Sequence, residues 1–418
     1  MNRRHFLAGG SALFGLATLS HGLPALAASP SQRRFIFVFA QGGWDPTRVF
    51  VPGFDLGVAM EPAATEAQAG NIAYVDHAAR PSVRSFLEKY HGSTTVFNGV
   101  MVPSVAHEAC TRIAMTGKSD DGRPDWPAVL ASVQDETWLL PHLVVDGPSY
   151  PGALGAAVAR TGQAGQLQAL IDGSVQDWSS AGLEGVADSS SRAVDRFLAR
   201  RAESELAAAQ SAVGRARLAD FQASVGRLEA LRDLNGVVDF GDAARFVGQR
   251  RVAVEALSAG SSRCVTLAHG VELGGWDSHA NNDATQSLLF EDLFSGLLGL
   301  LDDLGAEPGA AGGTLLDETT VVVMSEMGRT PLLNGGGGKD HWPWTSALVI
   351  GGGLGGDRVI GQFDSGYQGI GVDPATGEVA EGAQILSAEA FGATLLAASD
   401  VDPGDWVPGV QPVTGAFG

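Results

Sequence analysis

Five segments of this chain carry metal-ligating side chains directly after, or directly before, an apolar run. They hold Asp45; His107 with Glu108; Asp277 with His279; Glu326 with Arg329 three residues on; and Asp340 with His341. An Asp-x-His pair such as Asp277-Ser278-His279 sets an oxygen and a nitrogen donor on the same side of a short extended segment, which suits a divalent ion such as zinc or manganese. Asp340-His341 offers the same two donors between a run of four glycines and a wall of Trp342, Pro343 and Trp344. Glu326 stands at the tip of an apolar run, where a carboxylate without a partner would be costly to bury. Arg329 is either that partner or a fork-shaped donor for an anionic substrate group. A single histidine most often reads as a structural residue, and His77, His91, His142 and His269 are read that way. Recurrence of the same ligand types in five segments marks the set as a site. The tetrapeptide Gly-Gly-Trp-Asp occurs twice, ending at Asp45 and at Asp277, which predicts that the two carboxylates are presented alike.

These residues need a scaffold that brings distant segments to one edge. Arg34 to Ala40 is a continuous apolar, β-prone run with no polar alternation, the pattern of a strand buried on both faces in a parallel sheet. Similar runs recur at Thr94–Phe97, Leu143–Val145, Cys264–Leu267, Thr320–Met324 and Ala347–Ile350, with amphipathic helical spacing at Pro81–Tyr90 and Ala284–Leu304. In the second helix Leu288, Leu289, Leu293, Leu297 and Leu300 fall toward one side. The alternation predicts an α/β fold, a mostly parallel sheet with helices on both faces, and ligands bind such sheets beyond the carboxyl ends of the strands. Residues 189–234 are rich in Ala, Arg, Glu and Leu and predict a helical insertion, one long helix or a hairpin.

The 418 residues carry 27 basic against 47 acidic side chains, a formal net charge of −20, which argues against nucleic acid and anionic lipid as partners. Two cysteines, Cys110 and Cys264, are too few for a disulfide framework and read as buried thiols. The glycine-rich stretches lack the spacing of a dinucleotide fingerprint or a P-loop, and no Gly-x-Ser-x-Gly elbow supports a serine hydrolase. Residues 1–27 read as a signal peptide: Arg3-Arg4-x-Phe6-Leu7, a short apolar stretch, then Ala25-Leu26-Ala27. The paired arginines look like a twin-arginine signal, read by the machinery that exports folded proteins, which predicts a periplasmic or secreted bacterial protein of one α/β unit over 28–418. With the signal removed, no integral membrane segment is expected. Folding before export gives a protein reason to load its metal inside the cell.

Gly-Gly-Trp-Asp after the first strand, Gly-Trp-Asp-Ser-His-Ala-Asn, Ser-Glu-Met-Gly-Arg-Thr-Pro and Gly-Gly-Gly-Gly-Lys-Asp-His-Trp together resemble the exported bacterial family known as domain of unknown function 1501. That family is similar to the alkaline phosphatase and sulfatase superfamily, an α/β sandwich with metal ligands on loops at the strand ends. The resemblance implies Asp45 as a first-strand metal carboxylate, Asp277 and His279 as ligands of one metal, Glu326 as a strand-end carboxylate and His341 as a late imidazole ligand, beside which Asp340 is read from its own position as a further metal carboxylate. Met327 stands where the superfamily has a second strand-end histidine, and His107 where it has a hydroxyl nucleophile. The same resemblance implies a metal-dependent hydrolase of anionic phosphate or sulfate esters, with zinc expected first and manganese or calcium as alternatives. His107 would be a base, a ligand or the nucleophile, and Arg329 would steady charge. The alternative is a non-catalytic metal-binding scaffold or surface-assembly protein derived from the hydrolase fold.

Overall fold

The computed structural model describes residues 33–132, 138–162, 165–172, 188–241 and 243–418. The expected signal peptide, residues 1–27, lies outside the described residues. In chain order the elements are β1 (Arg34–Ala40), β2 (Thr65–Ala69), β3 (Ile72–Asp76), α1 (Pro81–Tyr90), β4 (Thr94–Met101), α2 (His107–Thr116), α3 (Trp126–Ser132), β5 (His142–Val144), β6 (Val158–Arg160), α4 (Gln166–Asp172), α5 (Asp188–Ala208), α6 (Ala212–Arg232), α7 (Phe246–Ser258), β7 (Cys264–His269), α8 (Asn282–Ala306), α9 (Leu315–Glu318), β8 (Thr319–Ser325), β9 (Gly328–Arg329), β10 (His341–Trp342), β11 (Trp344–Ile350), β12 (Arg358–Ile360) and α10 (Ala388–Ala398).

Eight strands form one sheet in the order β12-β4-β11-β8-β1-β7-β5-β6. β11 runs antiparallel to both of its neighbours, and every other pairing is parallel. The unbroken apolar run of β1 follows from its place in the middle of this sheet. Ile36, Val38 and Ala40 pack into one core with α1, α7 and α8, while Phe35, Phe37 and Phe39 pack into a second core with α3 and α10. Each of the Ile, Val and Phe side chains taken from water contributes about 1.5–3 kcal/mol, so both faces of β1 demand a cover of helices. The chain is therefore an α/β sandwich, a mostly parallel sheet with helices on both faces.

On α8, Leu289, Leu293, Leu297, Leu300 and Leu304 are fully buried, but Leu288 is 55% exposed and does not belong to the stripe predicted for it. At the amino end the stripe continues as two polar residues, Asn282 and Gln286, also fully buried. α5 and α6 pack against one another over the segment that composition marks as helical, with Arg232 paired to Asp195 at 2.9 Å.

The antiparallel course of β11 has a direct consequence. Its amino end, led by the short β10, lies at the same edge as the carboxyl ends of β1, β4, β7 and β8. That is how His341, which precedes a strand, meets residues that come after strands.

Candidate metal centre

The two Gly-Gly-Trp-Asp turns lie in backbone contact at this edge. The Trp276 N–H donates to the Gln41 carbonyl at 3.2 Å, and Gly42 sits at φ +123°, where a Cβ would fall 2.7 Å from the Asp277 nitrogen. Only glycine fits that approach. Trp44 and Trp276, both fully buried, meet edge to face at 6.1 Å. The packing fixes where Asp277 stands, while its carboxylate remains 42% exposed toward an opening.

Three imidazoles surround that carboxylate. His279 Nε2 lies 3.2 Å and His341 Nε2 3.1 Å from Asp277 Oδ1, and the two ring nitrogens are 2.9 Å apart. His107 Nε2 lies 3.4 Å from Asp277 Oδ2. Donor atoms of His107, Asp277 and His341 all fall within 4.8 Å of one another. Each imidazole is gripped from behind at Nδ1 by an acceptor: the Val105 carbonyl for His341 (2.7 Å), Asp340 Oδ1 for His279 (2.9 Å) and Glu326 Oε1 for His107 (3.1 Å). With Nδ1 donating, each neutral ring presents a lone pair at Nε2. Three acceptor atoms thus meet at 2.9–3.2 Å with no donor among them, which a cation at their centre would resolve. A tetrahedral zinc with bonds of ~2.0–2.1 Å separates its donors by about 3.3 Å, so the spacing fits such an ion. Imidazoles held at their second nitrogen by carboxylate or carbonyl are the usual setting of metal-ligating histidine.

Charges agree with this geometry. Partial burial pushes the Asp277 carboxyl up, but the hydrogen bond from Arg329 and the positive charge of that guanidinium outweigh it and hold it down to about 2. The hydrogen bond to Glu326 raises the His107 imidazole above its ordinary value, against a smaller opposite effect of burial. The hydrogen bond from His279 lowers the Asp340 carboxyl.

Several predicted roles change. Glu326 is fully buried; it accepts from Gly42 N at 2.7 Å and from Ser325 at 3.3 Å as well as from His107, so it orients an imidazole instead of facing the opening. Asp340 likewise stands behind His279, tied to Asn334 Nδ2 at 3.1 Å. Arg329 is not the partner of Glu326, nor does it reach the opening. It is fully buried, and each of its three nitrogens is engaged: Nε with Gly43 O at 2.8 Å, Nη1 with Lys339 O at 3.2 Å, and Nη2 with Asp277 Oδ1 at 2.7 Å and the Gly42 carbonyl. Asp45 is not presented like Asp277. It is fully buried and paired with Lys339 at 2.9 Å and Arg48 at 3.5 Å, leaving no oxygen for an ion. Glu108 is exposed in the first turn of α2.

Sequence reasoning passed over four residues: Val105, which acts through its carbonyl and leaves no side-chain signal, together with Lys339, Asn282 and Gln286. The last two were visible as polar residues continuing an apolar helical stripe, and Lys339 as a lysine adjoining the Asp-His pair.

The chain matches, over residues 32–405, the family described as "Protein of unknown function (DUF1501)", and belongs to it. No curated protein sequence matches it. Among solved structures it is similar to BT4656 in complex with its substrate D-glucosamine-2-N,6-O-disulfate, at 10% identity, a TM-score of 0.33, and coverage of 89% of this chain and 77% of that one. Among the described residues no helix is long and apolar enough to cross a membrane.

Proposed function

We propose that this protein is a divalent-metal-dependent hydrolase of small phosphate or sulfate esters, exported in folded form through the twin-arginine machinery to the periplasm or beyond. The observation that carries the reading is the triangle of Asp277 Oδ1, His279 Nε2 and His341 Nε2, with both rings held at Nδ1 by Asp340 and the Val105 carbonyl. Two nitrogens and one oxygen, with a third imidazole alongside, suit zinc first and manganese second; calcium prefers an all-oxygen shell and fits poorly. Three protein ligands beside an opening leave room for a substrate, the arrangement of catalytic zinc sites. A bound ion supplies Lewis acidity toward an ester oxygen and toward water.

The chain's own residues supply the rest. Arg329 fixes Asp277 against the two turns, and Asp340 and Val105 fix the His279 and His341 rings. His107, set slightly apart and backed by Glu326, takes up a proton at Nε2 when water attacks and returns it to the leaving group. The experiment is a screen of aryl phosphate and aryl sulfate esters with protein freed of metal and then reloaded. Metal-dependent turnover, lowered about 10²–10⁴-fold in His107→Gln while its metal remains, supports the reading.

One observation favours the second reading, a non-catalytic metal-binding scaffold: every Arg329 nitrogen is used internally, so that guanidinium offers an anionic ester nothing. Metal-loaded protein that turns over none of these esters selects it.

A further inference from the structure

Asp45 and Lys339 form a buried ion pair beneath the metal centre, and both ligand-bearing loops hang from it. Neither side chain has any exposed surface. Asp45 Oδ1 accepts from Thr47 N at 3.1 Å and Thr47 Oγ1 at 2.6 Å. Its Oδ2 accepts from Asn282 Nδ2 at 2.8 Å and faces Lys339 Nζ at 2.9 Å and Arg48 at 3.5 Å. The lone pairs of this carboxylate are all taken, and its charge is answered by two cations. The attached cations hold the Asp45 carboxyl below the ordinary carboxylate range even though burial opposes them.

From this anion, one path runs through Asn282, whose Oδ1 accepts from Ser278 Oγ at 2.7 Å, to the segment bearing Asp277 and His279. The other runs through Lys339 to the segment bearing Asp340 and His341. Lys339 also stitches the two segments together: its N–H donates to the Ser278 carbonyl at 3.1 Å. At neighbouring Gly338, a Cβ would lie 2.0 Å from the His279 carbonyl, so the two backbones run in close contact.

We propose that the Asp45–Lys339 pair positions the metal ligands and sets the centre for one ion only, with the lysine ammonium supplying the positive charge that a second ion would otherwise bring to Asp45. This inference rests on the metal reading above. It makes Asp45 and Lys339 positioning residues, since neither touches the ligand triangle.

Cobalt(II) titration, followed by visible absorption, tests it on the wild type, on Asp45→Asn/Lys339→Met, which removes both charges together, and on Asn282→Ala, which cuts one path without touching the charges. The wild type is expected to bind one equivalent. The double variant should still bind one, about 10–100-fold more weakly, as is usual when groups behind metal ligands are lost, with altered cobalt bands; Asn282→Ala should show a smaller loss. Two equivalents in the wild type, the second lost with Asp45, would make Asp45 a ligand and overturn the inference, whether or not the variants fold. Variants that bind as tightly as wild type with unchanged bands overturn the positioning role alone. A wild type that binds no cobalt overturns the metal reading and this inference with it.

Discussion

The same four residues, Gly-Gly-Trp-Asp, close two neighbouring strands of one sheet, and their aspartates meet opposite fates. Asp45 turns inward and is matched by Lys339 and Arg48; Asp277 turns toward the opening and is matched by Arg329 and three imidazoles. The tryptophans of both turns are buried against each other, so the local turn is shared and the difference lies in the residues after each aspartate. After Asp45 come Pro46 and Thr47, and the aspartate caps a short helical turn at Pro46–Arg48 through the Thr47 N–H. After Asp277 the chain runs through Ser278 to His279, pinned by the loop that carries Lys339. Identical short motifs therefore define a turn, while the partners that tertiary structure delivers decide whether its carboxylate is buried as an anchor or left open among imidazoles.

Exchanging the consequences of the two aspartates is the strongest way to break this comparison. Asp277→Asn should abolish stoichiometric metal while leaving the fold intact by circular dichroism, because the carboxylate is partly open; Asp45→Asn should keep a full equivalent with weakened affinity. Metal content of the two proteins checks this. Next, His107→Gln should lower turnover of a reactive ester about 10²–10⁴-fold with metal retained, the range for loss of a general acid–base group. Lys339→Met leaves Asp45 charged, buried and short of its nearest cation, and should cost about 3–5 kcal/mol in urea unfolding. The contrast between buried and open groups extends to the histidines. His142 is fully buried in β5, and burial pushes its imidazole down to about 4. A histidine depressed in the folded state contributes stability above its unfolded pKa of about 6.5 and loses it as pH falls toward 4. Unfolding free energies across that interval should drop by about 3 kcal/mol more in wild type than in His142→Gln.

Much of this was legible in the residues. Uniform apolar runs gave away a sheet covered on both faces, since a strand such as β1 with six hydrophobic residues in succession has no face to offer water. Asp277, His279 and His341 were marked by ligand type and by their place at strand ends. Which carboxylate opens toward the imidazole nitrogens and which stand behind a histidine was not legible, because Glu326, Asp340 and Asp277 look alike in sequence and differ only in which atoms of distant loops reach them. Arg329 misled for the same reason: the carbonyls that consume its donors belong to Gly42, Gly43 and Lys339, and a backbone oxygen leaves no trace in composition. Asp45 misled because its turn repeats that of Asp277, and the lysine that neutralises it lies almost three hundred residues away in the chain.

Elemental analysis of protein purified without added metal or chelator, beside its His279→Ala/His341→Ala variant confirmed folded by circular dichroism, addresses the central claim most directly. The account predicts one equivalent of zinc or manganese per chain in the wild type and none in the variant. A wild type without metal, or a variant that retains as much as the wild type, would contradict it.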